Sequence, residues 1–450
     1  RDLRLHIEPL RAIHSQKTFE VRVKYSAKPR IGLNFVGPDK DYPNKPISVY
    51  SQGETEKNRY WYPSYDYTNM RFTSETLFSV PKGFRAISNG RLIEKRTQGG
   101  WTTFHHKMEH PHVNYLLSVV VGEFKVYKQS WKGIPIRSFV YAEDFKHAKR
   151  SFKNTPEMMK FFSEKTGVRY PYAKYDQTVV QDFNSGGMEN ITATTLSRRT
   201  IHSKVEHLDY RSDGLVAHEL AHQWFGDFVT CRHWHELWLN ESFATYFQQL
   251  YYEHKWGKKE FFQEREGYAF ARYKRSRYHR PIQTRVYRHP AHVFDAHAYP
   301  KGALVLHMIR TKLGDALWWK AINHYLKKHA HQNVETHDFR KALEQVSGQN
   351  WIPFFDQWLR RPGHPKLRVS WEYQEQSRLV KLKIKQTQML PYQLDSSVVL
   401  THDDGSQSRF ALDIHKKDHE FTFPVPQRPL MVEFEPDANL LADIEVKKSA

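Results

Sequence analysis

Two histidines four residues apart, with a glutamate directly after the first, are the part of this sequence best suited to chemistry: Val216-Ala217-His218-Glu219-Leu220-Ala221-His222-Gln223-Trp224. On a helix, His218 and His222 leave the same face one turn apart, which suits two ligands of one metal ion. Glu219 can then face the open coordination position and take a proton from water held there. A third ligand must come from elsewhere. Glu241, in Leu237-Trp238-Leu239-Asn240-Glu241-Ser242 near the start of the next helical pattern, is the candidate. Two imidazoles and one carboxylate leave the fourth zinc position to water, the pattern of a hydrolytic rather than a structural centre.

The five-residue pattern alone is weak, because a chain with 27 histidines meets it by chance more readily than most. Its surroundings strengthen it. Leu215, Val216, Ala217, Leu220, Ala221, Trp224 and Phe225 make the helix read as buried, and buried imidazoles and carboxylates need partners that a metal supplies. The metzincin extension would need glycine at 225 and histidine at 228, and both positions are phenylalanine, so that branch is excluded. A two-histidine, one-carboxylate set also suits iron(II) in an oxygenase, but there the glutamate after the first histidine has no obvious use.

These residues resemble the M1 family of zinc aminopeptidases, whose ligand motif is H-E-x-x-H followed after eighteen residues by the glutamate of L-W-L-N-E; here Gln223 to Asn240 make up the eighteen. Two further family motifs follow the same order, G-x-M-E-N as Gly186-Gly187-Met188-Glu189-Asn190 and Y-x-K-G as Tyr299-Pro300-Lys301-Gly302. Pro300 replaces an acidic residue common in the latter. The resemblance implies one Zn2+ per chain on His218, His222 and Glu241, Glu219 as general base, and Tyr299 as the donor that stabilises the oxyanion. It assigns recognition of a substrate's free α-amine to Glu189, helped by Glu54 of Gln52-Gly53-Glu54, whose Gln52 also reaches the cleft. Gly186, Gly187 and Met188 would then hold the substrate backbone, and the substrates would be peptides with a free N-terminus. Glu236 is a candidate acceptor for a ligand imidazole. The alternative is a non-catalytic scaffold of the same fold, a reading toward which the basic charge leans. Such modules lose metal ligands or the base, and this chain keeps them.

The elements that must position these groups follow from length and periodicity. A chain of 450 residues is too long for one core and implies two to four domains. Residues 1–141 read as β structure, with alternation at 3–10, 18–25 and 47–51 and runs at 76–80, 101–106 and 115–124. Residues 142–362 turn helical, around a strand at 177–181 and a second at 192–196 whose edge could take an extended peptide. Ser212 or Asp213 caps the ligand helix; further helices are expected at 240–255, 301–312, 315–328, 336–346 and 351–359. Residues 363–450 return to alternation, at 367–373, 379–386, 397–401, 410–414, 420–423 and 430–434, and suit a small β-sandwich. The fold class is therefore multidomain α+β. The resemblance implies a saddle-shaped N-terminal β-sheet domain (1–141), a thermolysin-like α/β zinc catalytic domain (142–362) and a C-terminal β-sandwich (363–450). Arg1 in place of methionine leads us to expect a fragment or processed form, truncated at its start. Most members of the family continue into a helical domain, so we expect a short form or one from which it was removed.

Composition narrows the partners. The hydrophobic share of 39% supports globular cores, and no apolar run reaches the length that spans a bilayer. The single cysteine, Cys231, cannot close an internal disulfide, which tilts the expectation toward a soluble protein of the cytoplasm. Net charge is +20, and much of it falls in one stretch: Arg272, Lys274, Arg275, Arg277, Arg280, Arg285 and Arg288. No nucleic-acid-binding motif accompanies that stretch, so it reads as a solvated basic surface and no nucleic-acid partner is expected.

Overall fold

The structure is a computed structural model that describes residues 5–14 and 18–448. Contacts divide the chain into two compact units, residues 1–156 with 171–219, and residues 157–170 with 220–450. The architecture is α+β, with sheets at the N-terminal end, a helical middle and further sheets at the C-terminal end.

In the first unit, β1 (Leu33–Val36), β2 (Ser48–Ser51), β3 (Phe72–Pro81), β4 (Arg85–Ser88), β5 (Arg91–Gln98), β6 (Trp101–His112) and β7 (Val119–Gly122) build two antiparallel sheets, ordered β1-β2-β7-β4 and β3-β6-β5. A third sheet takes β8 (Lys125–Trp131), β9 (Ile134–Val140), β10 (Tyr175–Val180), β11 (Gly187–Met188) and β12 (Ala193–Ser197) in the order β11-β12-β10-β9-β8. β10 lies parallel to both neighbours and is buried at every position, as expected of a central parallel strand covered on both faces. Tyr50, Ile87, Val120, Phe139, Tyr141 and Val180 form one core between these sheets. β8 and β9 precede residue 141 yet belong to the sheet of β10, β9 pairing with β10 and β8 with β9, so the expected boundary there falls next to a strand of the later sheet.

Several expectations need correction. Leu3 and Arg4, and residues 15–17, lie outside the described residues. Residues 5–10 and 18–25 carry no strand; Leu5, Ile7, Phe19 and Val21 are exposed, because alternation makes a strand only where a ladder partner satisfies its backbone. The run at 115–124 divides into a short 3-10 turn, Asn114–Leu116, and β7. β12 is not an edge: β11 covers it, so the strand that carries Gly187 and Met188 is the open edge.

Helices α1 (Phe145–Phe152), α2 (Thr155–Thr166), α3 (Asp213–Ala221) and α4 (Trp238–Trp256) come next in the chain. In the second unit α4 is set by an aromatic core. The Phe225 and Phe243 rings stack 4.5 Å apart, Phe339 meets Phe243 edge-on at 5.0 Å, and Trp238 Nε1 donates to Thr336 Oγ1 at 2.8 Å. Gly257, at φ +90, ends α4 where a side chain would be strained. Gly302–Leu313, Asp315–Lys328, Thr336–Ser347 and Ile352–Leu359 match the expected helices. The C-terminal strands form a four-stranded and a three-stranded sheet. The four-stranded sheet includes Asp443–Lys448, parallel to Lys366–Gln374, which alternation had not indicated.

Candidate active site

α3 opens at Asp213, with Ser212 O accepting the first helical bond from Val216 N at 3.0 Å, and carries His218 and Glu219 in its last turns; His222 follows its end. His222 is buried, and its Nδ1 lies 2.8 Å from the Phe225 carbonyl. A carbonyl can only accept, so Nδ1 holds the proton and Nε2 is left as the ligand atom. That Nε2 stands 3.2 Å from Glu241 Oε2. Glu241 lies in the first turn of α4, where the helix dipole favours a carboxylate. Its neighbour Asn240 accepts from Cys231 N at 3.0 Å, fixing the start of that helix.

Ligand atoms of His218, His222 and Glu241 all lie within 4.8 Å of one another, with His222 and Glu241 buried and His218 half-buried. Glu189, Glu219 and His222 meet the same condition as a second, overlapping set. Two imidazole nitrogens and a carboxylate, two of the three buried, fit a zinc ion with one position left open, and the tautomer set by Phe225 agrees with it.

Glu219 is held by a close approach of backbone. A Cβ at Gly187 would lie 2.2 Å from Glu219 Oε1, so the carboxylate rests on β11 where only glycine leaves room. Gly186 likewise leaves space for Leu215 on α3, at 3.1 Å from its own missing Cβ. Glu189 is buried and accepts from the Tyr115 hydroxyl at 3.3 Å. The Gln52-Gly53-Glu54 segment packs on the same group of residues. Gln52 Nε2 reaches Met188 Sδ at 3.2 Å, and a Cβ at Gly53 would meet the Tyr115 carbonyl at 2.4 Å.

Tyr299 is half-buried in a π-helical turn, His297–Lys301, that leads into Gly302–Leu313 rather than preceding it. Ser242, next to Glu241, donates its hydroxyl to Ala298 O at 2.6 Å and ties this turn to α4. Asp295 supports the turn from below. It accepts from His297 N at 2.9 Å and takes a two-pronged bond from Arg280 at 2.7 and 2.9 Å; those partners hold its carboxyl well below the usual range despite burial. Lys301 is fully buried, its ammonium 5.4 Å over the Tyr273 ring. Burial and the Arg280 charge push it down to about 7. Part of the basic stretch is thus structural: Arg280 grips Asp295, Lys274 pairs with Asp443, and Arg272 lies over the Tyr299 ring.

Glu236 does not serve a ligand imidazole. It ends the 3-10 turn before α4, and its oxygens accept from Gln283 Nε2 at 2.6 Å and Thr336 N at 3.1 Å. Burial raises it to about 7. The Phe225 carbonyl fills the expected place beside His222. Neither that carbonyl, nor Tyr115, Ser242 and the Asp295–Arg280 pair, stood out in the sequence; Gly302 beside Ser242 was the one signal available, since a Cβ there would lie 1.8 Å from Ser242 Oγ.

Comparisons with known proteins bear on the family and the fold. Residues 150–358 match the Peptidase family M1 domain. The chain is 30% identical over 328 residues to Aminopeptidase M1 of Arabidopsis thaliana, covering 70% of this chain and 37% of that one. It is 29% identical over 356 residues to Aminopeptidase N of Streptomyces lividans, with 75% and 41% covered. The fold is shared with aminopeptidase A of Legionella pneumophila, solved with aspartic acid, at a TM-score of 0.79 and 19% identity over 94% of this chain and 50% of that one. The chain spans about two fifths of the length of the curated relatives it matches. Among the described residues no helix is long and apolar enough to cross a membrane. Its motifs, its fold and these matches place the chain in peptidase family M1.

Proposed function

We propose that the chain is a zinc-dependent aminopeptidase that removes the N-terminal residue from peptides. The observation that carries this reading is the meeting of His218, His222 and Glu241 beside a second carboxylate pair, Glu189 and Glu219. Zinc, held by the first three, would supply Lewis-acid polarisation of the scissile carbonyl and a water acidic enough to lose a proton near neutrality. Glu219 takes that proton and later delivers it to the leaving amine. Glu189, with Glu54, receives the substrate's α-ammonium through a charge-assisted hydrogen bond, which measures one residue from the chain end. The open edge of β11 offers Gly186 and Gly187 to the substrate backbone, and Gln52 and Met188 line the same segment. The Tyr299 hydroxyl donates to the oxyanion as it forms. The Saccharolobus solfataricus Leucyl aminopeptidase and the other relatives bear names consistent with this chemistry.

The test is metal content measured together with hydrolysis of a panel of aminoacyl-anilides, each free and N-acetylated. We expect about one zinc per chain and turnover of the free substrates alone. Glu219→Gln should keep the zinc and lose about 10²–10⁴-fold in kcat. Equal cleavage of acetylated substrates would remove the aminopeptidase reading, and full activity of Glu219→Gln would remove the assigned base.

A further inference from the structure

Away from the candidate active site, the three sheets of the first unit leave a cavity of about 200 Å³. Its walls come from β4, β5, β6, β8, β9 and β10. Ile87, Phe104 and Phe139 are buried apolar wall residues. Arg85, Lys128 and Arg137 add cationic groups, and Asp176 is the one carboxylate among the lining residues.

The charges around this space do not balance. Asp176 is bonded by Arg137 Nε and Nη2 at 2.6 and 2.7 Å and by the buried Lys174 ammonium at 2.6 Å. One carboxylate therefore faces two cations, and Arg85 and Lys128 add two more at the cavity. Arg137 Nη1 makes no hydrogen bond among the described residues, so donors remain on the group that reaches the cavity. His106 also lines it. It is buried, its Nδ1 has no hydrogen-bond partner, and burial together with Lys174 and Arg137 pushes it down to about 3, so it stays neutral. Lys174 and Arg137 are paired with Asp176, whereas Arg85 and Lys128 at the exposed rim leave the cavity lining net positive, which an anion would offset. The apolar walls exclude a purely inorganic fit, because a bare ion leaves them wet.

We propose that this cavity binds a small organic acid, a carboxylate on a compact apolar body. At about 30 Å³ per water-sized group, the volume takes about seven such groups, the size of hexanoate or benzoate. The carboxylate is held by the Arg85, Lys128 and Arg137 cations, and the carbon skeleton lies against Ile87, Phe104 and Phe139. His106 contributes a ring N–H donor or acceptor without adding charge.

The full chain is titrated with hexanoate, benzoate, the neutral isostere hexan-1-ol, and inorganic phosphate, followed by calorimetry and ligand-observed NMR. Hexanoate or benzoate should bind saturably, at least about tenfold tighter than hexanol and than phosphate. Added salt should weaken that binding. Arg85→Glu with Lys128→Glu, both exposed and far in role from the metal ligands, should raise Kd about tenfold or more at unchanged circular dichroism and unchanged peptidase activity. Val126→Phe, which fills the wall without touching a charge, should also abolish binding. The proposal is overturned by equal affinity for hexanol, by tighter binding of phosphate, by indifference to both variants, or by no saturable binding up to about 20 mM.

Discussion

Glu219 and Gly187 constrain each other tightly, since a β-carbon on Gly187 would lie 2.2 Å from the carboxylate. Gly187→Ala should push the base aside while leaving His218, His222 and Glu241 to hold metal. We expect zinc content to stay unchanged and kcat to fall about 10–100-fold, or about 1.4–2.8 kcal/mol of barrier; wild-type turnover in the alanine variant would show that the carboxylate has room to spare. Lys301 makes a second claim at this scale. Its folded pKa of about 7 lies below the ordinary lysine value of 10.5, so between those values the unfolded chain binds a proton that the folded chain does not. Stability contributed through Lys301 therefore rises with pH across that window, and the penalty is complete below it. Lys301→Met should remove this slope and add roughly a few kcal/mol at pH 7, read as the difference between the two proteins' urea curves at pH 7 and 9.5. The residues proposed as ligands and base were legible in the sequence because their types and spacing are scarce. The Phe225 carbonyl was not, since a backbone acceptor leaves no trace in residue type.

α4 and the turn that bears Tyr299 form one working element, although 56 positions separate Ser242 from Ala298. Gly302 lets them meet. An added Cβ would lie 1.8 Å from Ser242 Oγ and 2.7 Å from Ser242 Cβ. Gly302→Ala should cost about 1–3 kcal/mol by overpacking, and Ser242→Gly in the same chain should recover part of it. Additive losses in urea unfolding would mean the two positions are not coupled. At this scale the sequence was readable where periodicity is long and amphipathic, as in α4 and the helices after it. It misled where a strand's partner decides the outcome. Residues 18–25 alternate but find no ladder, whereas Asp443–Lys448 pairs with Lys366–Gln374 with no alternation strong enough to announce it. The same reason hid the edge: β12 looked free until β11 was seen to pair with it.

The molecule as a whole carries +20 charge and 27 histidines, so mild acid loads it in two separate ways. Surface histidines add self-repulsion, which salt screens. Buried histidines act differently. His106 and His307 are pushed down to about 3 and His112 to about 4, in each case chiefly by burial. His112 is satisfied as a neutral ring by Ser74 Oγ at 2.8 Å and Val113 O at 2.9 Å, and His307 Nδ1 sits 3.0 Å from the Tyr246 hydroxyl. Each folded pKa lies below the ordinary histidine value of 6.5, so as pH falls from there toward 4 the unfolded chain gains protons that the folded chain refuses. Stability contributed by these rings is whole above pH 6.5 and drains through that window, by about 2 kcal/mol each at pH 5. Three such groups amount to a large part of a normal folding free energy. Urea unfolding followed by tryptophan fluorescence at pH 7, 5.5 and 4.5 should show a steep loss that about 0.5 M salt leaves largely in place. If salt restores the neutral-pH stability, surface repulsion rather than the buried rings limits this fold in acid.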